Sequence, residues 1–192
     1  MINIRHGCFE TNSSSCHSIC ISKTPVQYCY NRVINFRFDD FGWSEEACYN
    51  TEDYLYTAIV CSDLTPKEVK DYLDRLKKIL DKYGTDYSFE PYKIVHSEYG
   101  DFCTPKDDEH CWGVGIDHAR EVLPLVDRLL NDENLLMRYL FGDSVIYTGN
   151  DNGCEHDSKC FSAFDSYYND DDQLAANPNH QPDKYDYFFK GN

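Results

Sequence analysis

The chain has 192 residues, enough for one domain with a hydrophobic core, and its 41% hydrophobic and 15% aromatic content excludes wholesale disorder. The formal net charge is −16, from 34 acidic and 18 basic residues, so direct binding to nucleic acid is not expected. No stretch approaches the roughly 20 apolar residues of a membrane span, and the first residues lack a signal-peptide pattern, so we expect a cytoplasmic protein whose ten cysteines are reduced.

The first third of the chain predicts strands. Apolar residues alternate with polar ones over residues 2–9, 17–22 and 32–38, which is the period of a half-buried strand. The polar run 10–16 is then a loop between the first two strands.

Two helices are predicted next. Residues 51–60 favour a helix because a threonine followed by acidic residues begins the segment and its apolar residues fall at helical spacing. Residues 65–83 give the clearest signal in the chain: Thr65 is an N-cap, Pro66 occupies the first helical position, and Glu68 completes a capping box. An apolar stripe follows, and a glycine ends the helix.

The remaining elements complete a mixed pattern. Asp117 is the predicted start of a helix, and Pro124 inside that helix either kinks it or marks its true start. Asp132 begins a shorter helix that ends at Gly142. Further strands are predicted at 92–95, 144–148 and, as an edge strand, 184–190. Because strands and helices do not alternate regularly, we expect an α+β fold: a single domain at 1–164, with a small, mostly antiparallel sheet packed by two to four helices, and an acidic, partly irregular extension at 165–192.

The polar segment 10–17 has more hydrogen-bonding and reactive side chains than folding alone requires. Hydroxyls and backbone N–H groups in a tight loop can bind a phosphate or carboxylate, a serine beside a histidine can act as an activated nucleophile, or the hydroxyls can simply satisfy a turn. The candidate ligand-binding residues are Thr11, Asn12, Ser13, Ser14, Ser15 and His17, with Asn150 and Asn152 across the pocket. The alternative catalytic set is Ser13, Ser14, Ser15, His17 and Asp151.

Metal binding is a weaker alternative. Cys154, His156 and Cys160 resemble half of a zinc site, but the sequence lacks the pair of Cys-x-x-Cys knuckles that makes the strong pattern. The loop Gly149–Gly153 offers Asp and Asn oxygens that suit a hard cation, although its spacing is not that of a calcium loop. We therefore predict no cofactor.

Acidic residues are concentrated in short clusters. In most proteins such clusters are solvated surfaces, but carboxylates at phosphate-like spacing can also imitate nucleic acid toward a basic protein. Asp39 and Asp40 form one cluster, and the candidate partner-binding residues are Asp107, Asp108, Glu109, Asp170, Asp171 and Asp172.

The segment Arg5-x-Gly7-x-Phe9-Glu-Thr-Asn-Ser-Ser-Ser15-x-His17-Ser18 resembles the N-terminal motif R-x-G-V-F-E-T-N-S-S-S-x-H-S of small proteins encoded by phages and mobile elements of Gram-positive gut bacteria. Residues 140–152 are similar to a second stretch of those proteins. The resemblance covers about 30 residues and departs at Cys8, where the family has Val, and at Cys16, often Ser or Thr. It implies a phage or mobile-element origin and a setting inside the bacterial host, but no particular activity.

Charge, aromatic content and this motif together predict an inhibitor, anti-CRISPR-like, whose acidic second half occupies the basic groove of a Cas nuclease or its ribonucleoprotein. The rival hypothesis is an enzyme or binding protein for a nucleotide or phosphate ester, with its site at the serine-rich loop and His17. A third is an assembly module whose exposed aromatic residues mediate oligomerisation. The sequence leaves the oligomeric state open.

Overall fold

The computed structural model describes residues 15–23, 33–41, 46–62, 64–98, 100–106, 115–116, 119–150 and 185–191. The helices in these ranges are α1 (Thr51–Val60), α2 (Pro66–Lys82), α3 (Ala119–Asn131) and α4 (Glu133–Phe141). The strands are β1 (Ser15–Ser22), β2 (Ile34–Phe36), β3 (Asp40–Phe41), β4 (Glu46–Cys48), β5 (Tyr87–Phe89), β6 (Tyr92–Val95), β7 (Phe102–Pro105), β8 (Gly115–Ile116), β9 (Val145–Asn150) and β10 (Tyr185–Gly191). The predicted strand at 2–9 and the predicted boundary between 164 and 165 lie outside the described residues.

The predicted α+β fold class is confirmed. The main sheet has the order β10–β1–β9–β4, and each neighbouring pair in it is antiparallel. Three further pairs are separate: β2–β5 and β3–β8 are parallel, and β6–β7 is antiparallel. The strands β3, β4, β5, β7 and β8 were not predicted, because segments of two to four residues are too short to show an alternating pattern.

Helix α1 lies at the centre of the core. It contacts α2, α3, α4, β2 and β8, and its residues from Tyr54 to Val60 are all buried. From Tyr54 onward the helix is buried on every side, so it lacks the polar stripe of a surface helix, while Glu52 and Asp53 of its first turn are partly exposed. The predicted bounds 51–60 are confirmed, although Asn50 occupies the N-cap position without a side-chain cap. The Thr51 hydroxyl instead donates to the Tyr139 carbonyl (2.9 Å), which ties α1 to α4.

Helix α2 begins and ends as the sequence predicts. The Thr65 hydroxyl accepts the Glu68 backbone N–H (3.3 Å), and Glu68 Oε2 accepts the Thr65 N–H (2.9 Å), so the capping box is complete. Hydrogen bonds from Thr65 lower the pKa of Glu68. At the other end Gly84 adopts φ +66, the left-handed conformation that glycine tolerates best.

Helices α3 and α4 pack on the main sheet, against β10 and β1 respectively. The Asp132 side chain accepts the Leu135 N–H (3.1 Å) as the predicted cap of α4, and Gly142 ends that helix. Helix α3 runs through Pro124, so the alternative that this proline marks the true start is wrong. Because Pro124 is exposed, its ring lies on the solvent side of the helix and does not disturb the core.

Three strand boundaries differ from the prediction. Strand β1 begins at Ser15 and β9 extends to Asn150, so residues 15–16 and 149–150, which were predicted as loop, belong to strands. Strand β2 is shorter than the predicted 32–38 because the backbone N–H groups of residues 37–39 donate to side chains instead of a neighbouring strand. The predicted edge strand at 184–190 is confirmed: β10 pairs with β1 at one edge of the main sheet.

No helix within the described ranges is long and apolar enough to cross a membrane. Among the cysteines that the structure describes, Cys20 and Cys103 are buried, and Cys48 and Cys61 are partly exposed. Burial raises the pKa of Cys20 to about 12 and that of Cys103 to about 11.

Candidate functional site

The pairing of β1 with β9 brings together residues from two candidate segments that lie far apart in the sequence. Ser15 is directly opposite Asn150, and His17 is directly opposite Thr148. Three of the predicted ligand-binding residues, Ser15, His17 and Asn150, therefore meet at one end of the main sheet. The other predicted members (Thr11, Asn12, Ser13, Ser14, Asp151 and Asn152) lie outside the described residues.

These two pairs lie at the margin of the hydrophobic core. Directly opposite residues of an antiparallel pair share one face of the sheet, and the face alternates along the strand. The next pair on that face is Ile19 and Ile146, which are fully buried and belong to the core that the helices share. Along this face of the two strands, the two polar pairs are therefore the next positions after the fully buried pair of Ile19 and Ile146.

The strands on either side extend this polar region. Glu46 of β4 is opposite Thr148, and Gly191 of β10 is opposite His17. One row across the sheet therefore reads Glu46, Thr148, His17, Gly191. Sequence reasoning missed Glu46 and Thr148: β4 has only three residues, and Thr148 was assigned to a strand without a chemical role.

A compact turn fixes where β9 starts. The Ser144 hydroxyl donates to the Arg138 carbonyl (3.1 Å) and accepts the Ser22 N–H (3.2 Å), so it links α4, β9 and the end of β1. A Cβ atom at Gly142 would lie 2.4 Å from the Arg138 carbonyl oxygen. Only glycine allows this approach, which places β9 beside β1 in the register described above.

A second polar region lies where β2 ends. The N–H groups of Arg37, Phe38 and Asp39 donate to Asp53 Oδ1 (2.7 Å), Glu90 Oε2 (3.0 Å) and Thr57 Oγ1 (3.2 Å) respectively. Burial raises the pKa of Asp53 to about 6, against the opposing hydrogen bond from Arg37. This region holds the end of β2 against α1. The side-chain oxygens named above already accept hydrogen bonds from backbone N–H groups, so its role is structural.

Four acidic side chains on or beside the described helices form ion pairs with cations. Ion pairs join Lys70 to Asp74, Arg75 to Asp127 (3.6 Å), Lys82 to Glu133, and Arg128 to Asp132 (3.6 Å). Asp39 and Asp40 are exposed. The clusters Asp107–Glu109 and Asp170–Asp172 lie outside the described residues. The helical surface is therefore of mixed sign, and the excess negative charge belongs to other parts of the sequence.

The candidate zinc ligands Cys154, His156 and Cys160 also lie outside the described residues. In the part of the chain that the structure describes, no group of three or more His, Cys, Asp or Glu side chains is placed to hold a metal ion.

Comparisons of the chain with protein-family models, with curated proteins and with solved structures give no match.

Proposed function

We propose that the protein binds a small phosphate-bearing molecule, a nucleotide or phosphate ester, at the end of the main sheet where β1 begins and β9 ends. The observation that carries this proposal is the register that sets Ser15 opposite Asn150 and His17 opposite Thr148. It supports the ligand-binding hypothesis because two segments 130 residues apart in the sequence contribute hydrogen-bonding groups to adjacent positions of one sheet face.

The residue types suit phosphate oxygens. A serine or threonine hydroxyl and an asparagine amide are neutral donors, and a protonated imidazole adds a positive charge and a second donor. The imidazole is also the group best suited to move a proton near neutral pH. An enzyme that hydrolyses a phosphate ester and a protein that only binds the ester would therefore use the same residues. Measurable hydrolysis of the ester distinguishes the enzyme from the binding protein.

Calorimetric titration with AMP and with inorganic pyrophosphate tests the proposal. We expect wild-type protein to bind one of them, and His17→Ala to weaken binding by about tenfold or more, the cost of losing a charged hydrogen-bond donor. His96→Ala is the matched control, because His96 is exposed and pairs with Asp101 on another part of the molecule. Hydrolysis of p-nitrophenyl phosphate is measured in parallel. Absence of binding by the wild type, or equal affinity of His17→Ala, contradicts the proposal.

A second candidate function is supported by the charge distribution. Residues 151–192 carry nine acidic and three basic residues, and Asp107–Glu109 adds three more negative charges. An excess of negative charge of this size attracts a basic partner. We propose, as this second candidate, a phage-encoded inhibitor that acts in the cytoplasm of a bacterial host and occupies the nucleic-acid groove of a Cas nuclease.

Binding to a panel of Cas nucleases at low and at high salt tests this candidate. If the protein imitates nucleic acid, its binding to the nuclease should weaken as the salt concentration rises. Binding should be lost when the acidic residues at 107–109 and 170–172 are changed to Asn and Gln. The control replaces three exposed acids that lie outside both clusters, Asp71, Asp86 and Glu98, by their amides and should bind normally. Absence of binding at low salt refutes the hypothesis, as does equal loss in both variants.

A further inference from the structure

We infer that the β2–β3 connection, residues 37–39, is a pH-sensitive element of the fold, closed against α1 while the Asp53 carboxyl is protonated and open more often once that carboxyl ionises. The inference concerns local opening of one segment in the folded protein. It is independent of the proposed phosphate site.

The connection is held by hydrogen bonds to side chains. The Arg37 N–H donates to Asp53 Oδ1 (2.7 Å), and the Asp39 N–H donates to Thr57 Oγ1 (3.2 Å). Asp53 and Thr57 are four residues apart in α1, so both lie on one face of that helix. Each contact is a single bond to a side chain, so losing one does not require a strand pair to separate.

The middle of the connection is anchored more firmly. The Phe38 N–H donates to Glu90 Oε2 (3.0 Å), and the Phe38 ring centroid lies 4.7 Å from that of Tyr56 in the core. Residues 37 and 39 on either side are exposed. Opening at Asp53 therefore leaves the packing of Phe38 in place, which makes it a local event of low free-energy cost.

The surroundings of Asp53 disfavour its negative charge. Burial is the largest cause that raises the pKa of this carboxyl, to about 6, and the charges of Glu52 in α1 and Asp39 in the connection add to it. The N–H and the positive charge of Arg37 act in the opposite direction. Glu90, on the far side of the connection, brings a further carboxylate to it.

Proton linkage gives the sign of the effect. A carboxyl that binds its proton more tightly in the closed form stabilises that form fully below about pH 3.8, and this stabilisation is lost as pH rises through about 6. Ionised Asp53 gains hydration when the connection opens, and the repulsion from Glu52 and Asp39 is screened by water. The full shift permits at most about a hundredfold increase in the opening equilibrium, and solvent screening reduces it to about threefold to tenfold.

Amide hydrogen exchange measured by NMR tests the inference on the full chain. Protection factors, corrected for the intrinsic pH dependence of exchange, are compared at pH 4 and pH 7.5. We expect protection of the Arg37 N–H to fall about threefold or more relative to that of Leu76, which is buried in α2. In Asp53→Asn the ratio should not change with pH, whereas the exposed-acid control Asp143→Asn should behave as the wild type.

Three outcomes overturn the inference. One is a pH-dependent ratio that persists in Asp53→Asn, and another is an equal loss of protection at Arg37 and Leu76, which would mean that the whole domain opens. The third needs no variant: a carboxyl carbon titration of wild-type Asp53 with its midpoint at or below the ordinary value of 3.8. This titration decides the question if Asp53→Asn does not fold.

Discussion

We expect the partly buried Asp53 carboxyl to lower the stability of the protein when it ionises, between mildly acidic and neutral pH. Its Oδ1 accepts the Arg37 N–H at 2.7 Å and so joins the end of β2 to α1. Burial raises its pKa from 3.8 to about 6, and the negative charges of Glu52 and Asp39 add to that shift. Because an asparagine oxygen can accept the same hydrogen bond without ionising, Asp53→Asn isolates the effect of the charge.

The sign of the effect follows from proton linkage. The folded protein holds the Asp53 proton more tightly than the unfolded chain, so the associated stability is complete below about pH 3.8 and is lost as pH rises through about 6. A shift of about two units is equivalent to about 3 kcal/mol at most. Solvent reaches part of this side chain and screens the charge, so we expect about 1–2 kcal/mol.

Urea unfolding at pH 4, 5, 6, 7 and 8 measures this quantity. We expect Asp53→Asn to exceed the wild type in unfolding free energy by about 1–2 kcal/mol at pH 7, and the two proteins to converge toward pH 4. Asp143→Asn is the matched control, because Asp143 is exposed. The difference between each variant and the wild type cancels the contributions of the other acidic residues.

Two results would refute the reasoning. One is a difference between Asp53→Asn and the wild type that is the same at pH 4 and pH 7. The other is a variant that is less stable than the wild type at pH 7, which would mean that the charged hydrogen bond to Arg37 outweighs the cost of burying the carboxylate.

Three further predictions concern packing, capping and thiol chemistry. Gly142→Ala places a Cβ 2.4 Å from the Arg138 carbonyl oxygen, so we expect a loss of about 1–3 kcal/mol in urea unfolding. Thr65→Ala removes the capping box of α2 and should cost about 1 kcal/mol, measured in the same way. Cys20 is buried and its pKa is raised to about 12, so iodoacetamide at pH 8 should label it far more slowly than the partly exposed Cys61, as read by peptide mass spectrometry.

Each of these has its own control. Gly115→Ala meets no atom within 4 Å and should be tolerated, so an equal loss would show that the close approach at Gly142 is not the cause. Thr65→Ser keeps the capping hydroxyl and should retain most of the stability. Full labelling of both thiols in urea confirms that burial protects Cys20, and rapid labelling of Cys20 in the folded protein would contradict it.

The elements that the sequence predicts well are those whose signals are local. The bounds of α1 and the capping box of α2 follow from residues within a few positions of one another. The caps of α4 at Asp132 and Gly142 are of the same kind. Neighbouring side chains decide these features, and tertiary packing then adds to a preference that already exists.

The candidate site is a different case. The sequence marks Ser15, His17 and Asn150 as chemically unusual, but it gives no register between β1 and β9. A shift of one residue would move every one of these positions to the other face of the sheet. The sequence gives no indication that Glu46 lies opposite Thr148, because its strand is only three residues long and its partner is about 100 residues away in the chain.

By itself the sequence determined the α+β class, the four helices and the edge strand β10, since hydrophobic period, caps and turn residues act over short distances. Only the tertiary structure decided the parallel pairs β2–β5 and β3–β8 and the row that joins Glu46 to His17. These depend on contacts between residues far apart in the chain. Such contacts are selected by how well a whole core packs, and no short stretch of sequence records that choice.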